Sequence, residues 1–306
     1  MSAEARLRWY ARFFDCVEVN STYYALPSPR NAQLWVLRTP PGFLFQVKAY
    51  SLMTGHHPRA DTLPADILAM LPGDVPRTRR GEIDRDRLPP EALDRCFELF
   101  RAALEPLAAA GKLGYVLFQL APWVRYEAPV LDYLASLPAR LPGWPIAVEF
   151  RNETWVPGRL DAVLRFLADH GLIFVCVDAP WQPFVPAATI SEWAIFRLHG
   201  QNVQGWLAQR AGREPTVAEK YDYLYSPAEL ALIAGHARRF QGHARRVAIT
   251  FNNNSRDYPI QNALDVKRLL GLTARAYPAA PDAGGPADLF AAEPPGAREP
   301  DTEPPG

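Results

Sequence analysis

The stretch 145–178, PIAVEFRNETWVPGRLDAVLRFLADHGLIFVCVD, decides the fold. It opens on a short apolar run, 145–150 (PIAVEF), and closes on another, 172–178 (LIFVCVD). Between them, 160–170 carries Val163, Leu164 and Leu167 at helical spacing and stops at Gly171, as a helix C-terminus does. Both runs are continuously apolar rather than alternating, which marks strands covered on both faces. Strand, helix and strand in succession form a βαβ unit of a parallel sheet.

Working outward, further runs of the same kind lie at 16–19 (CVEV), 43–49 (FLFQVKA), 114–120 (GYVLFQL), 193–200 (WAIFRLHG) and 246–253 (RVAITFNN). Helical patterns separate them. Residues 89–110 place Leu93, Phe97, Phe100, Leu104 and Leu107 on one face. Ser226-Pro227-Ala228-Glu229 has the N-cap, N1 proline and N3 glutamate of a helix start, running on through Phe240. Residues 262–270 close the series, and 4–14 open it with Leu7, Tyr10, Ala11 and Phe14 inward.

Seven strands are visible where a closed barrel needs eight. The expectation is an α/β chain folded as a parallel (β/α)8-type TIM barrel that lacks its first strand; an open doubly wound sheet is the competing architecture. One barrel domain is expected over 1–276. A polar, Pro- and Arg-rich insertion at 56–88 includes RTRRGEIDRDRLPP, and such long loops are usually lids or disordered. A Pro/Gly/Ala-rich tail at 277–306 is expected to be disordered.

Composition bounds the function. Lys+Arg and Asp+Glu both number 33, so net charge gives no pointer to nucleic acid or membrane. Three cysteines (Cys16, Cys96, Cys176) make no disulfide framework, and the N-terminus has no signal-like apolar stretch, so a reducing cytoplasm is expected. No run approaches the ~18 apolar residues of a membrane span. There is no GxGxxG after a strand, no GxxxxGK[ST] and no GxSxG, which argues against dinucleotide, Walker-type ATP and nucleophile-elbow chemistry. No pyridoxal phosphate signature is seen either. The cofactor remains open, and a required metal is not expected without HxH, HExxH or CxxC spacing.

In such barrels the C-terminal strand ends point into the site. Those positions hold Glu18 and Asn20, Gln46 and Lys48, Gln119, Glu149 and Arg151, Asp178, Arg197 and His199, then Asn252 and Asn253. Burying so many polar groups is costly unless they are paired or hydrated. Glu149 and Glu18, with His199 and Asp178, are the catalytic candidates for acid/base work. Asn20, Lys48, Gln119, Arg151, Arg197, Asn252 and Asn253 are the substrate-binding candidates, with Lys48, Arg151, Arg197 and His199 making an electropositive floor for an anion. Plainer readings stand beside these. Glu149 and Arg151 can simply pair, Lys48 can neutralise Glu18, Asp178 can cap a loop, and His199 can be a structural hydrogen-bonder. Trp123, Trp155, Trp181 and Trp206 follow strands and can stack sugars or bases, or only pack.

The phrases VEVNSTYYALPS, FLFQVKAYSLMTGH, KLGYVLFQLAPW, AVEFRNETW, VCVDAP, FRLHGQN with YDYLYSPAEL, and ITFNNN…QNA resemble the domain-of-unknown-function family 72, also called the YecE-like family. The resemblance runs from about Trp9 to Leu270 with the motifs in order. It implies a triosephosphate-isomerase-type barrel similar to those of sugar-phosphate isomerases and of an endonuclease class acting at abasic DNA, and it implies no particular reaction. The positions carried over are Glu18, Asn20, Ser21, Thr22, Tyr24, Lys48, Gln119, Glu149, Arg151, Asp178, Arg197, His199, Gly200, Asn252 and Asn253. The family's glycine- and tryptophan-containing first strand is absent before residue 4. Either the start is assigned too late, or the barrel has an open first position with an exposed sheet edge.

Three functions are expected in order. The first is an enzyme acting on an anionic, phosphorylated sugar-like substrate by acid/base chemistry. The second is a nucleic-acid-binding or nuclease-like protein, using Arg77, Arg79, Arg80, Arg85 and Arg87, whose charges Glu82, Asp84 and Asp86 nearly cancel. The third is a non-catalytic ligand binder.

Overall fold

The structure, a computed structural model, describes residues 2–73, 78, 81–205 and 216–272. Seven strands hydrogen-bond in chain order: β1 (Cys16–Val19), β2 (Leu44–Lys48), β3 (Leu113–Gln119), β4 (Ile146–Glu149), β5 (Ile173–Asp178), β6 (Trp193–Leu198) and β7 (Arg246–Phe251). Every neighbouring pair is parallel. Parallel neighbours need crossovers, and helices supply several of them, including Pro29–Leu37, Pro90–Ala109, Ala128–Arg140, Leu160–Asp169 and Pro227–Phe240. The sheet curls into a barrel. Arg197 on β6 reaches Glu18 on β1 at 2.7 Å. In a flat sheet those strands would lie five spacings of about 4.8 Å apart.

The barrel is nearly closed. Among the described residues β1 and β7 do not pair, so the seam expected from seven strands is present. Helix packing covers it: Phe13 and Phe14 meet Ile260 and Leu264 of the last helix, Tyr258–Leu269. The Lys267 ammonium donates to the Phe13 carbonyl at 3.0 Å and pairs with Asp15 at 2.9 Å.

Strand alternation sorts the core into two layers. One face of β3–β7 contributes Tyr115, Leu117, Ala147, Ile173, Val175, Val177, Trp193, Ile195 and Ala248 to one buried cluster, the barrel lumen. The other face, with Val116, Phe118, Val148, Phe174, Cys176 and Phe196, packs under helix residues such as Phe97, Phe100, Leu104, Leu134 and Leu167. Continuing the inward series to the strand ends gives Glu18, Lys48, Gln119, Glu149 and Arg197. The lumen is mostly apolar below, with Gln46 a buried polar exception, and its charged groups lie at the top.

The helix expected at 89–110 runs Pro90–Ala109, and that at 160–170 runs Leu160–Asp169 with Gly171 at φ +66°. The capping box at Ser226 is formed in both directions. Differences have local causes. The helix expected over 4–14 ends at Tyr10, where Ala11 makes the C-cap. Pro129 and Pro138 hide the helix Ala128–Arg140, whose prolines occupy its first and last turns, where helices tolerate or end on them. The 56–88 insertion, read as a polar loop, is anchored in the core where described: Leu63, Ile67 and Ile83 are buried, and Tyr50 donates to the Thr62 carbonyl at 2.9 Å. Arg77, Arg79, Arg80, Trp206 and the 277–306 tail lie outside the described residues.

Candidate active site at the barrel mouth

Arg197 organises the top of the lumen. It is 1% exposed and commits four of its five N–H donors. Nε and Nη2 grip Glu18 bidentately at 2.9 and 2.7 Å. Nη1 donates to Glu149 at 2.7 Å and to the Gln119 carbonyl oxygen at 3.1 Å. Arg151, on the loop after β4, binds the same two partners, through Nε to Glu149 at 2.9 Å and Nη2 to Gln119 at 3.0 Å. Its guanidinium also lies 5.2 Å from the Trp181 ring centre.

The carboxylates are therefore fixed as anions. Burial alone pushes Glu18 up, but Arg197 more than reverses this and leaves it below the ordinary carboxylate range. Burial opposes ionisation of Glu149 as well, yet Arg197, Arg151 and His199 hold it well below that range. His199 goes the other way: burial lowers its pKa to about 4, so the ring is neutral at pH 7. Asn252 Nδ2 lies 3.0 Å from His199 Nδ1, and His199 Nε2 lies 3.0 Å from Arg197 Nη1 and 3.3 Å from Glu149 Oε1. Two guanidiniums face two carboxylates across a neutral imidazole. The electropositive floor expected from sequence is instead charge-balanced.

Lys48 stands outside this balance. Its Nζ has no hydrogen bond or ion pair among the described residues and lies 4.4 Å from the Tyr23 ring centre. Thr22 fixes the strand end by donating to the Lys48 carbonyl at 2.6 Å. Burial first, then the Arg197 and Arg151 charges, lower the ammonium pKa to about 7. The expected Lys48–Glu18 neutralisation does not form, because Arg197 occupies both Glu18 oxygens. Asn20, two residues beyond Glu18, likewise makes no side-chain hydrogen bond among the described residues.

Asp178 is not brought into the cluster. Val177 fills the lumen, so Asp178 faces the other way, where it accepts from Tyr225 and from Gln201 Nε2. Tyr225 also accepts the Gly200 N–H at 2.8 Å, so this trio braces the loop after β6. Burial raises the Asp178 pKa despite those donors. Asp178 therefore does not join Glu149 and His199. Among the described residues no group of three His, Cys, Asp or Glu side chains is placed to hold a metal ion. Asn253 is tied to the Tyr223 carbonyl and to Asn262 rather than to the mouth. Trp155 is fully buried against Phe150, Trp181 lies beside His199, and Trp123 is 54% exposed. Sequence reasoning gave no role to Tyr225, Gln201 or His56, although each sits inside a phrase quoted above. Their spacing carries no periodic signal, and only the fold shows what they touch.

The family model described as "Protein of unknown function DUF72" matches residues 1–285. The chain is 30% identical over 277 residues to the UPF0759 protein YunF of Bacillus subtilis (strain 168), covering 89% of this chain and 88% of that protein. Among solved structures it is similar to a DUF72 family protein of Enterococcus faecalis V583, with a TM-score of 0.71, 25% identity and coverage of 88% of this chain and 89% of that one. It is also similar to a DUF72 family protein of Thermotoga maritima MSB8, with a TM-score of 0.68, 27% identity and coverage of 89% and 91%. No helix among the described residues is long and apolar enough to cross a membrane. Motif order, barrel architecture and the whole-length matches agree, and the chain belongs to the DUF72 family.

Proposed function

We propose that the chain is an enzyme that binds a small anionic, phosphorylated sugar-like substrate at the barrel mouth and moves a proton on it through Lys48. The observation that carries this reading is the unpaired Lys48 amine at a strand end otherwise filled by a satisfied ionic network. An amine titrating near neutrality exchanges protons in either direction at working pH. Its protonated form, with the uncommitted Nη1 of Arg151, also attracts an anion. Asn20, which follows β1 at the same end of the barrel, is a further neutral binding candidate. Glu18 and Glu149, the acid/base pair expected from sequence, act in this account as fixed charges. They hold Arg197 and Arg151 in place, and they are poor proton donors because they stay ionised.

The test is solvent-proton exchange, or product formation, from a panel of sugar phosphates in D2O followed by NMR. Lys48→Met should lower turnover by about 10²–10⁴-fold with the fold intact. Lys48→Arg should keep affinity and lose turnover, since a guanidinium stays protonated. Undiminished turnover by Lys48→Met rejects the assignment. Nucleic-acid binding is less supported, since Arg85 donates to the Leu52 carbonyl and Arg87 faces Asp84. DNA or RNA affinity falling steeply with salt would favour it. A ligand held unchanged for hours would favour a non-catalytic binder.

A further inference from the structure

Beside Lys48 the loops after β2 and β3 build a second set of contacts. Thr54 donates its hydroxyl to the Ser51 carbonyl at 3.0 Å. Its oxygen lies 2.8 Å from His56 Nδ1. With the hydroxyl hydrogen assigned to the Ser51 carbonyl, Thr54 accepts from His56, and on that assignment Nδ1 carries the ring hydrogen and Nε2 a lone pair. Nε2 has no hydrogen-bond partner among the described residues and is not among the sealed polar atoms. A half-buried acceptor is thereby presented with nothing among the described residues to satisfy it.

Aromatic rings hold His56 in place. Tyr23, the ring under Lys48, meets it edge-on at 5.0 Å, and Trp123 meets it from another side at 5.5 Å. Trp123 is rigid although exposed. Its Nε1 donates to the Gly55 carbonyl at 3.1 Å, and the His57 ring stacks on it at an interplanar angle of 10°. Gly55 adopts φ +83°, and a Cβ there would lie 2.6 Å from Val124, so the close approach of the two loops needs glycine. A fixed, exposed indole thus continues from a neutral acceptor, which continues from a cation.

We propose that His56 and Trp123 form a subsite for the hydroxylated ring of a sugar phosphate whose phosphate is held by Lys48 and Arg151. His56 Nε2 accepts a ligand hydroxyl, and Trp123 covers an apolar ring face. An acceptor beside two cations favours a ligand that carries both an anionic group and a separate O–H donor. The pKa of His56, lowered to about 3 by burial and then by Lys48 and Arg151, keeps the lone pair available across the physiological range. His56 is a positioning and binding group here and not the proton carrier. The inference rests on the anion-site reading given above and names the residues that read the sugar ring.

The experiment is calorimetric titration of the full chain with ribose 5-phosphate, glucose 6-phosphate and inorganic phosphate. It compares wild type with His56→Phe, which keeps a ring and removes the lone pair, and with Trp123→Ala. Each variant should weaken at least one of the two sugar phosphates by about fivefold, the value of one ordinary hydrogen bond or ring contact. Inorganic phosphate affinity should not change. Trp123→Phe should recover part of the loss. Melting temperatures separate a binding defect from unfolding, and Trp123→Ala supplies the readout if His56→Phe does not fold. Sugar phosphates bound no more tightly than phosphate, or bound by both variants as tightly as by wild type, overturn the subsite and leave the anion site standing. No binding of any of the three probes overturns both.

Discussion

Replacing Arg197 with Met should cost about 3–5 kcal/mol at pH 7, the range for removing one partner of a buried ion pair. The structure gives the reason. Arg197 is the only hydrogen-bond donor to Glu18 among the described contacts, through both carboxylate oxygens, whereas Glu149 retains Arg151 and His199. The loss therefore falls mainly on Glu18, which becomes a buried carboxylate without a donor. At about 2 °C per kcal/mol for a domain of this size, the melting temperature should fall by roughly 6–10 °C. Glu18 supplies the sign of the pH effect. Without Arg197, burial raises its pKa above the unfolded value, so the deficit is full at neutral pH and shrinks as pH falls and the carboxyl takes up a proton. Urea unfolding at pH 7 and pH 5 measures both. The double variant Glu18→Gln/Arg197→Met removes the orphaned charge and should be more stable than Arg197→Met alone. A loss below about 1 kcal/mol, or no recovery in the double variant, would show that Arg197 is not the keystone of the strand ends.

Three further outcomes follow from the same geometry. His199 has a folded pKa of about 4 against an ordinary 6.5, so the folded state binds fewer protons between those values, and stability should fall as pH drops through that window. His199→Gln should flatten the decline in urea unfolding between pH 6.5 and 4; parallel curves would contradict a neutral buried imidazole. Gly200 adopts φ +85°, and a Cβ there would stand 2.6 Å from that of Tyr223, so Gly200→Ala should cost about 1–3 kcal/mol in thermal unfolding, and an unchanged melting temperature would contradict it. The rate profile of the reaction, once a sugar phosphate is turned over, should bend near pH 7 with Lys48 and lose that bend in Lys48→Met.

The barrel was legible because parallel strands buried on both faces write themselves as continuous apolar runs, and 172–178 is the plainest of these. The strand-end residues were legible for the same reason: Glu149 and Arg197 break such runs at their ends. Sequence could not rank these residues. Nothing in CVEV or FRLHG shows that Glu18 and Arg197, 179 positions apart, clasp each other across the lumen. That clasp is what leaves Lys48 unpaired. Direction was equally hidden at Asp178, whose odd-even position beside Val177 turns it away from the mouth. The role of His56 was hidden because a loop histidine gains meaning only from its partners, here the Thr54 hydroxyl and the Tyr23 and Trp123 rings.

The most direct measurement is the pKa of Lys48. The chain has four lysines, so labelling with 13C-lysine yields few side-chain signals, and Lys48→Met assigns the one of interest. A titration of its ε-methylene shift should show a midpoint near pH 7, well apart from the ordinary lysine value of 10.5. A midpoint above pH 10 would mean that the amine is neither desolvated nor pressed by Arg197 and Arg151, and the proton-transfer role built on it would fall.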